Sequence, residues 1–304
     1  MKRRSFLVGL TACTMIGAFR SEDAFSEDWK VQYPEIRFSV RSNENAEGMT
    51  RWAVLGQYLE RELGVKVTMR PAADYAGTIE ALKSKRLELA LLGGAGYAEA
   101  WLVTQGNVEP LAQIQGKDGG TFYYSMVVVK ADAPFQTIDE LKGKKLAFTD
   151  PNSTSGFQVP SFFLRQQGKD PRAFFGQTGF AGNHENAVMA VVNGTYDAAA
   201  TWYTTEERTN VTRMIQKGMI PKDSVRMVWR SPKIQDDCFA IRSDLPPPMK
   251  AAVVDALLMM PQKSPEVLQR LGDGSFTGMV RANHEDYVPL IEMVKDNLAQ
   301  RRAN

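Results

Sequence analysis

Hydrophobic positions in the first third of the chain follow the two spacings that are typical of strands and helices. Every second residue is apolar at Ile36, Phe38 and Val40, which predicts a strand. Helical spacing then runs from Trp52 to Leu63, where Gly64 follows as a C-cap. The pattern continues with a strand, a helix capped by Asp74, a buried strand and a helix, at residues 65–69, 74–82, 87–92 and 97–103. Such alternation indicates a layered α/β architecture.

A second block of alternating elements follows residue 125. Strands are predicted at residues 126–129, 145–148, 198–200 and 225–229, and helices at 137–141, 156–167 and 184–193. Two further predicted helices, at 249–260 and 287–301, should pack back on the first block. We therefore expect two lobes, with lobe 1 formed by residues 27–125 plus 243–304 and lobe 2 by residues 126–242. Crossing strands near residues 122–130 and 238–243 would act as the hinge.

The first 26 residues have the organisation of an export signal. Three basic residues at 2–4 precede an apolar stretch at 5–19, which is too short to span a membrane. Small residues at 24 and 26 suit cleavage by a signal peptidase. The two consecutive arginines are typical of a twin-arginine signal, and an ordinary secretory signal is the alternative. Cys13 lies in a lipobox-like sequence, but the apolar residues after it disfavour a lipid anchor.

The charge balance argues against polyanionic partners. The chain carries a net charge of +2, and its signal segment holds four basic and two acidic residues, so the mature part is close to neutral. No basic excess remains to attract nucleic acid or an anionic membrane surface. Cys238 is the mature chain's one cysteine, and no Cys/His spacing typical of zinc occurs. We therefore expect no metal, no cofactor and no internal disulfide.

The clearest candidate site is a hydroxyl-rich turn, Ser153-Thr154-Ser155-Gly156, between a predicted strand and a predicted helix. In open α/β sheets, ligands bind beyond the carboxyl ends of strands. The first N–H groups of a helix lack intrahelical partners and attract anions. Three hydroxyls beside those N–H groups would supply convergent neutral donors for a tetrahedral oxyanion. The alternative is helix capping alone, as serine is a common N-cap. A P-loop is excluded, because the Gly-Lys-Ser/Thr sequence is missing.

Two other polar features have a functional and a structural interpretation. His184 opens a predicted helix and could donate to an anion, or could be a capping or solvated residue. Asp236 and Asp237 adjoin a predicted crossing strand and could form a solvated turn. A carboxylate suits an anion site only if the ligand retains a proton or hydroxyl that it can donate.

At these residues the chain resembles the periplasmic phosphonate- and phosphite-binding proteins of ABC importers. The segment from Phe148 to Phe157 matches the most distinctive motif of that family, and the resemblance spans roughly residues 35–275. Shorter matches occur at 74–77, 184–187 and 229–232. The resemblance implies a type II periplasmic-binding-protein fold, with two lobes, a ligand cleft between them and two crossing hinge strands.

The resemblance also implies which residues bind the ligand. Phosphonate oxygens would be held by Ser153, Thr154, Ser155 and His184. Aromatic hydroxyls would close over the ligand from the other lobe, and an acid would contact it; these are Tyr75, Tyr123 and Asp237. Trp202 and Tyr203 are candidates for the wall of the pocket.

One departure bears on the ligand. Aminoalkylphosphonate binders of the family place a glutamate near the position of Thr204, to hold the ligand's ammonium group. Here Glu206 and Glu207 could take that role only with a shifted loop. Burying the ammonium group without a carboxylate partner would cost several kcal/mol of binding free energy. The sequence therefore favours a ligand without an amine, such as phosphite or methylphosphonate.

Three functions are compatible with these residues. The first is capture of a small oxyanion and its delivery to an ABC permease. The second is a periplasmic oxyanion sensor, for example of arsenite, that signals to a membrane histidine kinase; the thiol of Cys238 could then take part. The third is an enzyme using Ser153 or Ser155 with His184, but no G-x-S-x-G elbow surrounds these serines. The sequence therefore predicts a binding protein and not an enzyme.

Overall fold

The computed structural model of the protein describes residues 29–40, 46–117, 119–272 and 274–302. The expected export signal at 1–26, Cys13 included, lies outside the described residues. The strands, in chain order, are β1 (Glu35–Ser39), β2 (Lys66–Met69), β3 (Leu89–Leu92), β4 (Val108–Gly116), β5 (Phe122–Lys130), β6 (Lys145–Phe148), β7 (Gln177–Phe180), β8 (Ala198–Thr205), β9 (Arg208–Thr209), β10 (Val225–Arg230), β11 (Ile234–Gln235), β12 (Cys238–Arg242) and β13 (Phe276–Arg281).

Helices alternate with these strands, as the apolar spacing predicts. They are α1 (Ala46–Leu63), α2 (Tyr75–Lys83), α3 (Gly94–Val103), α4 (Val159–Gln166), α5 (Pro171–Phe174), α6 (His184–Val192), α7 (Asn210–Gln216), α8 (Pro247–Lys263), α9 (Pro265–Leu271) and α10 (Val288–Arg302). Short 3-10 segments cover Ile138–Leu141 and His284–Tyr287, and a π turn covers Thr154–Gln158. None of the helices in the described ranges has both the length and the apolar composition needed to cross a membrane.

The strands form two mixed sheets. Sheet 1 has the order β13-β4-β12-β3-β1-β2, and sheet 2 has the order β10-β5-β8-β6-β7. β9 pairs with β8, and β11 pairs with β5. We call sheet 1 with its helices lobe 1, and sheet 2 with its helices lobe 2.

Each sheet is covered on both faces, because successive side chains of a strand point to opposite sides. In β3, Leu89 and Leu91 pack into the core that includes α1 and α8, while Ala90 and Leu92 face the core that includes α2, α3 and α10. Sheet 2 repeats this arrangement, with the apolar residues of β5 divided between its two cores. The buried strands therefore lack the alternation of a sheet with one solvated face.

The position of β12 differs from the expected lobe boundary. β12 (Cys238–Arg242) pairs antiparallel with β3 and β4, which places it inside sheet 1. The assignment of residues up to 242 to lobe 2 is therefore wrong for this strand. Most of β5 pairs with β8 and β10 in sheet 2, and this pairing includes Tyr124 and Ser125, so their assignment to lobe 1 is also wrong. The chain passes between the lobes just before β5 and again just before β12. An apolar run identifies a strand, but it does not identify the sheet that the strand joins.

Candidate functional site

The hydroxyl turn lies at the carboxyl end of β6, where the π turn begins. All three hydroxyl side chains, on Ser153, Thr154 and Ser155, are buried. Ser153 is the N-cap residue, and its Oγ accepts a hydrogen bond from the N–H of Gly156 at 3.1 Å. Capping and ligand binding are compatible, since a hydroxyl that accepts from an N–H still has its own proton to donate.

Gly156 allows this turn to pack directly on the end of the strand. A Cβ atom at this position would collide with the side chain of Thr149. The N–H of Thr149 also donates to the carbonyl oxygen of Gly156 at 3.2 Å. The close packing holds the hydroxyl turn in a fixed position relative to the sheet.

Thr154 and Ser155 are oriented by neighbours from both lobes. The N–H of Ala95, in α3 of lobe 1, donates to Thr154 Oγ1 at 2.9 Å. The hydroxyl of Ser125, in β5, donates to the carbonyl oxygen of Ser155 at 2.6 Å. The side chains of Thr154 and Ser155 lie beside the phenol of Tyr123 and lower its pKa, which partly offsets the effect of its burial. These contacts give the turn a rigid surrounding shell.

Tyr123 is a neutral donor in this site. Burial is the main cause that raises its pKa well above the ordinary value, and the nearby carboxylates of Asp237 and Asp236 raise it further. The phenol therefore keeps its proton at neutral pH and can donate it to an anion.

His184 stands at the first position of α6, beside the hydroxyl turn. Asn183 caps the helix and accepts the N–H of Asn186 at 2.7 Å. The imidazole Nδ1 lies 3.1 Å from Thr201 Oγ1, which fixes the plane of the ring. The side chain lines the same cleft as the three hydroxyls.

Lobe 1 contributes Tyr75 and Gly93, and the crossing segment contributes Asp237. Tyr75 begins α2, whose N-cap Asp74 accepts the N–H of Gly77 at 2.7 Å. A Cβ atom on Gly93 would lie 2.8 Å from Thr154 Oγ1 and 3.5 Å from Asp237 Oδ1. The missing side chain at Gly93 therefore lets the two lobes approach each other at the site.

These elements enclose a cleft of about 1020 Å³, counted with its open mouth. All seven residues expected to contact the ligand line this cleft: Tyr75, Tyr123, Ser153, Thr154, Ser155, His184 and Asp237. Their contact with a ligand stays a prediction.

Of the two expected wall residues, Trp202 lines the cleft and Tyr203 does not. Neighbouring residues of β8 point to opposite faces. The ring of Tyr203 packs 5.9 Å from the ring of Tyr124, under the guanidinium of Arg230. The assignment of Tyr203 to the pocket wall is therefore wrong.

No local pattern in the sequence indicates the outer part of the cleft. Its walls include residues of α1, of β8 and β9 with the turn between them, of α7, and of the stretch from the end of α9 to the start of β13. These are Arg51, Thr204, Glu207, Arg208, Thr209, Thr212, Arg213, Gln216, Leu271, Gly272, Ser275 and Phe276. These residues come from distant segments, so spacing along the chain could not group them. Glu207 lines the cleft together with Thr204. A carboxylate therefore does reach the cleft near the position at which aminoalkylphosphonate binders of the family place their glutamate.

Cys238 lies outside the cleft lining. Its side chain is fully buried in the core of lobe 1, and burial raises the pKa of its thiol. A buried thiol with a raised pKa is a poor ligand for a soft oxyanion. The structure thus separates Cys238 from the hydroxyl turn.

Comparison with known proteins defines the class. The family model for the periplasmic phosphonate substrate-binding protein of ABC transporters matches residues 38–287. The phosphonates-binding periplasmic protein of Escherichia coli is 31% identical over 81% of this chain and 72% of its own length. The phosphate-import protein PhnD of Mycolicibacterium smegmatis is 30% identical over 83% and 78%.

Solved structures show the same fold. A binding component of a phosphonate ABC transporter from Pseudomonas aeruginosa superposes with a TM-score of 0.74, at 24% identity, over 86% of this chain and 85% of that one. PhnD1 of Prochlorococcus marinus, in complex with methylphosphonate, gives a TM-score of 0.73 at 21% identity, over 87% and 98%. The fold is that of the two-lobed periplasmic binding proteins. The chain belongs to the family of periplasmic substrate-binding proteins of phosphonate ABC transporters.

Proposed function

We propose that the mature protein captures a small phosphonate, phosphite or similar oxyanion between its lobes and delivers it to an ABC permease. The observation that carries this proposal is the placement of three buried hydroxyls, on Ser153, Thr154 and Ser155, beside a helix N-terminus in the interlobe cleft. Relatives of this chain carry names for phosphonate binding, phosphite binding and phosphate import, which fits an anion of this type.

Neutral donors suit this ligand. The hydroxyl turn itself contains no lysine or arginine, so selection rests on geometry and not on charge alone. A charge-assisted hydrogen bond contributes about 1.5–3 kcal/mol. Four such bonds, from the three hydroxyls and His184, would contribute about 6–12 kcal/mol before the entropy loss of association. The upper end of this range leaves about 8 kcal/mol, which corresponds to micromolar binding.

Asp237 gives the site a preference for a protonated ligand. An ionised carboxylate can only accept hydrogen bonds, so it repels a fully deprotonated anion. A monoanionic phosphonate or phosphite keeps one O–H that can donate to Asp237. Tyr75 from lobe 1 and Tyr123 at the start of β5 would cover the opposite side and exclude water.

The export route and the partner of the protein follow from its N-terminal segment and its family. Export would use the twin-arginine-type signal in residues 1–26, and contact with the membrane would be through the permease, without a lipid anchor at Cys13. The comparisons support import and lend no support to the sensor alternative. The chain is proposed to act without catalysis, as expected of a substrate-binding component.

A thermal-unfolding panel of anions tests the proposal. With the mature protein at an anion concentration of about 100 Kd, linkage gives about 2.7 kcal/mol of stabilisation, or a rise in Tm of about 5–10 °C. We expect this rise with phosphite or methylphosphonate, and not with sulfate or arsenite. The combined change Ser153→Ala, Thr154→Val and Ser155→Ala should abolish it.

A single substitution tests the same site if the triple variant does not fold. Ser155→Ala keeps the carbonyl that Ser125 contacts, so the turn should fold, yet the rise in Tm should shrink. The proposal fails if the folded triple variant responds to these anions as the parent does. Release of inorganic phosphate from a phosphonate by the purified protein would contradict the non-catalytic assignment.

A further inference from the structure

The segment that carries the hydroxyl turn is closed at its ends by the side chain of Gln158. This residue is the last one of the π turn, and it is buried. Its Nε2 donates to the carbonyl oxygen of Pro151 at 2.6 Å, and its backbone N–H donates to the carbonyl oxygen of Ser153 at 3.0 Å. The two ends of segment 151–158 are therefore tied together, with the three hydroxyls between them.

The amide of Gln158 is held by Asn297, which belongs to α10 of lobe 1. Asn297 Nδ2 donates to the carbonyl oxygen of Gln158 at 3.0 Å, and it also donates to Gln158 Oε1. Asn297 Oδ1 accepts a hydrogen bond from Arg165 Nη2, in α4 of lobe 2. Because Asn297 and Gln158 are both buried, loss of one of these partners would leave a polar group unsatisfied, at a cost in free energy.

The direction of these hydrogen bonds is fixed by the chemistry of the two end groups. Arginine can only donate, and a backbone carbonyl can only accept. Asn297 must therefore present its oxygen to Arg165 and its NH2 group to Gln158. The same reasoning makes Gln158 present its own NH2 group to the carbonyl of Pro151. One ordered series of donors thus runs from α4, through α10 of the other lobe, to the start of the hydroxyl turn.

Arg301, one turn further along α10, holds the same segment at its beginning. Its Nη2 donates to the carbonyl oxygen of Pro151 at 2.9 Å, and its guanidinium lies 4.8 Å from the ring centroid of Phe157. On the side of the cleft, α3 of the same lobe contacts Thr154. Lobe 1 therefore contacts segment 151–158 at both ends through α10 and in the middle through α3.

We infer that Asn297 is a positioning residue for the anion, because through Gln158 it holds the three hydroxyls in the arrangement that binds. Neither Asn297 nor Gln158 lines the cleft, so both would act through the turn and not by touching the ligand. The inference rests on the proposed function, since it takes the hydroxyl turn as the anion site. It adds that the affinity depends on the docking of α10 against the turn, and not on the hydroxyls alone.

Asn297→Asp tests the inference with little change in shape. The new carboxylate still accepts a hydrogen bond from Arg165, whose charge keeps it ionised, but it cannot donate to Gln158. If the amide of Gln158 turns round to donate to this carboxylate, it releases Pro151. We expect the Kd for methylphosphonate to rise about tenfold, as the loss of one buried hydrogen bond predicts. Titration calorimetry on the mature protein measures the change.

Asp296→Asn is the matched control on the same helix. Asp296 Oδ2 accepts from the same Arg165 Nη2 at 2.7 Å, but within the described residues it forms no hydrogen bond with segment 151–158. Any fall in the Tm without ligand then measures the ion pair between α4 and α10. The Kd for methylphosphonate should equal that of the parent.

A double-mutant cycle assigns the effect to Gln158. Gln158→Met keeps the length of the side chain, loses both amide contacts and should itself raise the Kd about tenfold. In that background, Asn297→Asp should weaken binding little further, because the contact through which it acts is already gone. The backbone amide signals of Ser155 and Gly156 in NMR spectra should shift in both single variants and stay unchanged in Asp296→Asn. If Asn297→Asp does not fold, Gln158→Met tests the same contact from lobe 2.

Failure of the inference and failure of the proposed function look different. The inference is wrong if folded Asn297→Asp or folded Gln158→Met binds methylphosphonate as the parent does. It is also wrong if Asp296→Asn raises the Kd as much as Asn297→Asp, since a general weakening between α4 and α10 would then be the cause. Full additivity in the cycle would show that Asn297 does not act through Gln158. If the parent binds neither methylphosphonate nor phosphite, the proposed function fails and the inference fails with it.

Discussion

Thr154 Oγ1 accepts a hydrogen bond at 2.9 Å from the backbone N–H of Ala95, and the two residues belong to opposite lobes. Ala95 is the second residue of α3, whose N-cap, Gly93, makes no side-chain capping bond. Thr154 thus caps a helix of the other lobe, satisfying an N–H that has no partner within its own helix. A hydroxyl of the proposed anion site is therefore also a contact that holds the cleft closed.

Removing this hydroxyl should weaken ligand binding. Thr154→Val keeps the shape of the side chain but loses the cap on α3 and a donor to the anion. We expect a loss of about 1.5–3 kcal/mol, or roughly 10- to 150-fold in Kd, measured by calorimetry with methylphosphonate. Thr154→Ser should retain most of the affinity. The exposed Thr195 supplies the control Thr195→Val, and equal affinities for the two valine variants would contradict the assignment.

Adding one methyl group at Gly93 should obstruct closure. Its backbone angles, φ −60° and ψ 156°, are open to alanine, so the lobe itself should fold normally. The new Cβ would lie 2.8 Å from Thr154 Oγ1, which is closer than a carbon and an oxygen can pack. We expect Gly93→Ala to weaken methylphosphonate binding at least tenfold while the Tm without ligand changes little, a combination characteristic of a blocked closed state.

Gly96→Ala is the matched control for this variant. It lies one turn further along α3, and a Cβ there meets only Leu92 Cβ at 3.9 Å, an ordinary contact. Its affinity should equal that of the parent. Normal binding by Gly93→Ala would show that Thr154 and Gly93 do not need to approach each other in the liganded state.

Much of the fold was predictable because the responsible signals are local. The alternation at Ile36 and Phe38 predicts β1, and Asp74 caps α2 as its position before a helical pattern indicates. The hydroxyl turn was found for the same reason, since Ser153, Thr154 and Ser155 are consecutive and follow a buried strand. A motif of adjacent residues can be read without knowing how distant segments meet.

The errors concern relationships that are distant along the chain. β4 was not predicted, since Pro110 interrupts its apolar pattern; the irregular register of β12 beside it accommodates that proline. β12 itself was assigned to the wrong lobe, because its continuous apolar run does not reveal the strands with which it pairs. The outer part of the cleft joins Arg51 to Arg208, and nothing between these residues in the sequence indicates that they share a cleft.

A buried ion cluster should be essential for the stability of lobe 1. Glu88 is fully buried and pairs with Arg37 and with Arg242, whose side chain is 5% exposed. Glu88→Ala would remove the buried partner of both arginines and leave Arg242 paired with Asp244 alone, at 2.9 Å. We therefore expect a loss of about 3 kcal/mol in the free energy of unfolding, the lower end of the range for breaking a buried pair. Urea unfolding measures this loss.

An exposed pair of the same lobe provides the comparison. Lys250 and Glu109 form an ion pair 2.5 Å long, but the side chain of Glu109 is 40% exposed. Glu109→Ala should therefore change the free energy of unfolding by less than about 1 kcal/mol. Similar losses for Glu88→Ala and Glu109→Ala would show that burial does not set the importance of these pairs.

Glu99 introduces a pH dependence at the junction of the lobes. Burial is the main cause that raises the pKa of this α3 carboxyl, Asp150 of lobe 2 raises it further, and Arg301 of α10 partly opposes the shift. Because the folded-state pKa lies above the ordinary value of 4.5, the ionised carboxylate destabilises the folded protein at neutral pH. That penalty is full above the folded-state pKa and disappears as the pH falls to the unfolded-state value.

We therefore expect Glu99→Gln to raise the Tm at pH 7.5, and the difference from the parent to shrink to near zero by pH 4.5. The expected rise in Tm already allows for the attraction between Glu99 and Arg301. The raised pKa of Glu99 is the net result of burial, Asp150 and Arg301. Thermal unfolding of both proteins across this range measures the difference, with Asp255→Asn, an exposed acid of α8, as the control. A lower Tm for Glu99→Gln at pH 7.5 would mean that pairing with Arg301 outweighs the burial of the carboxylate.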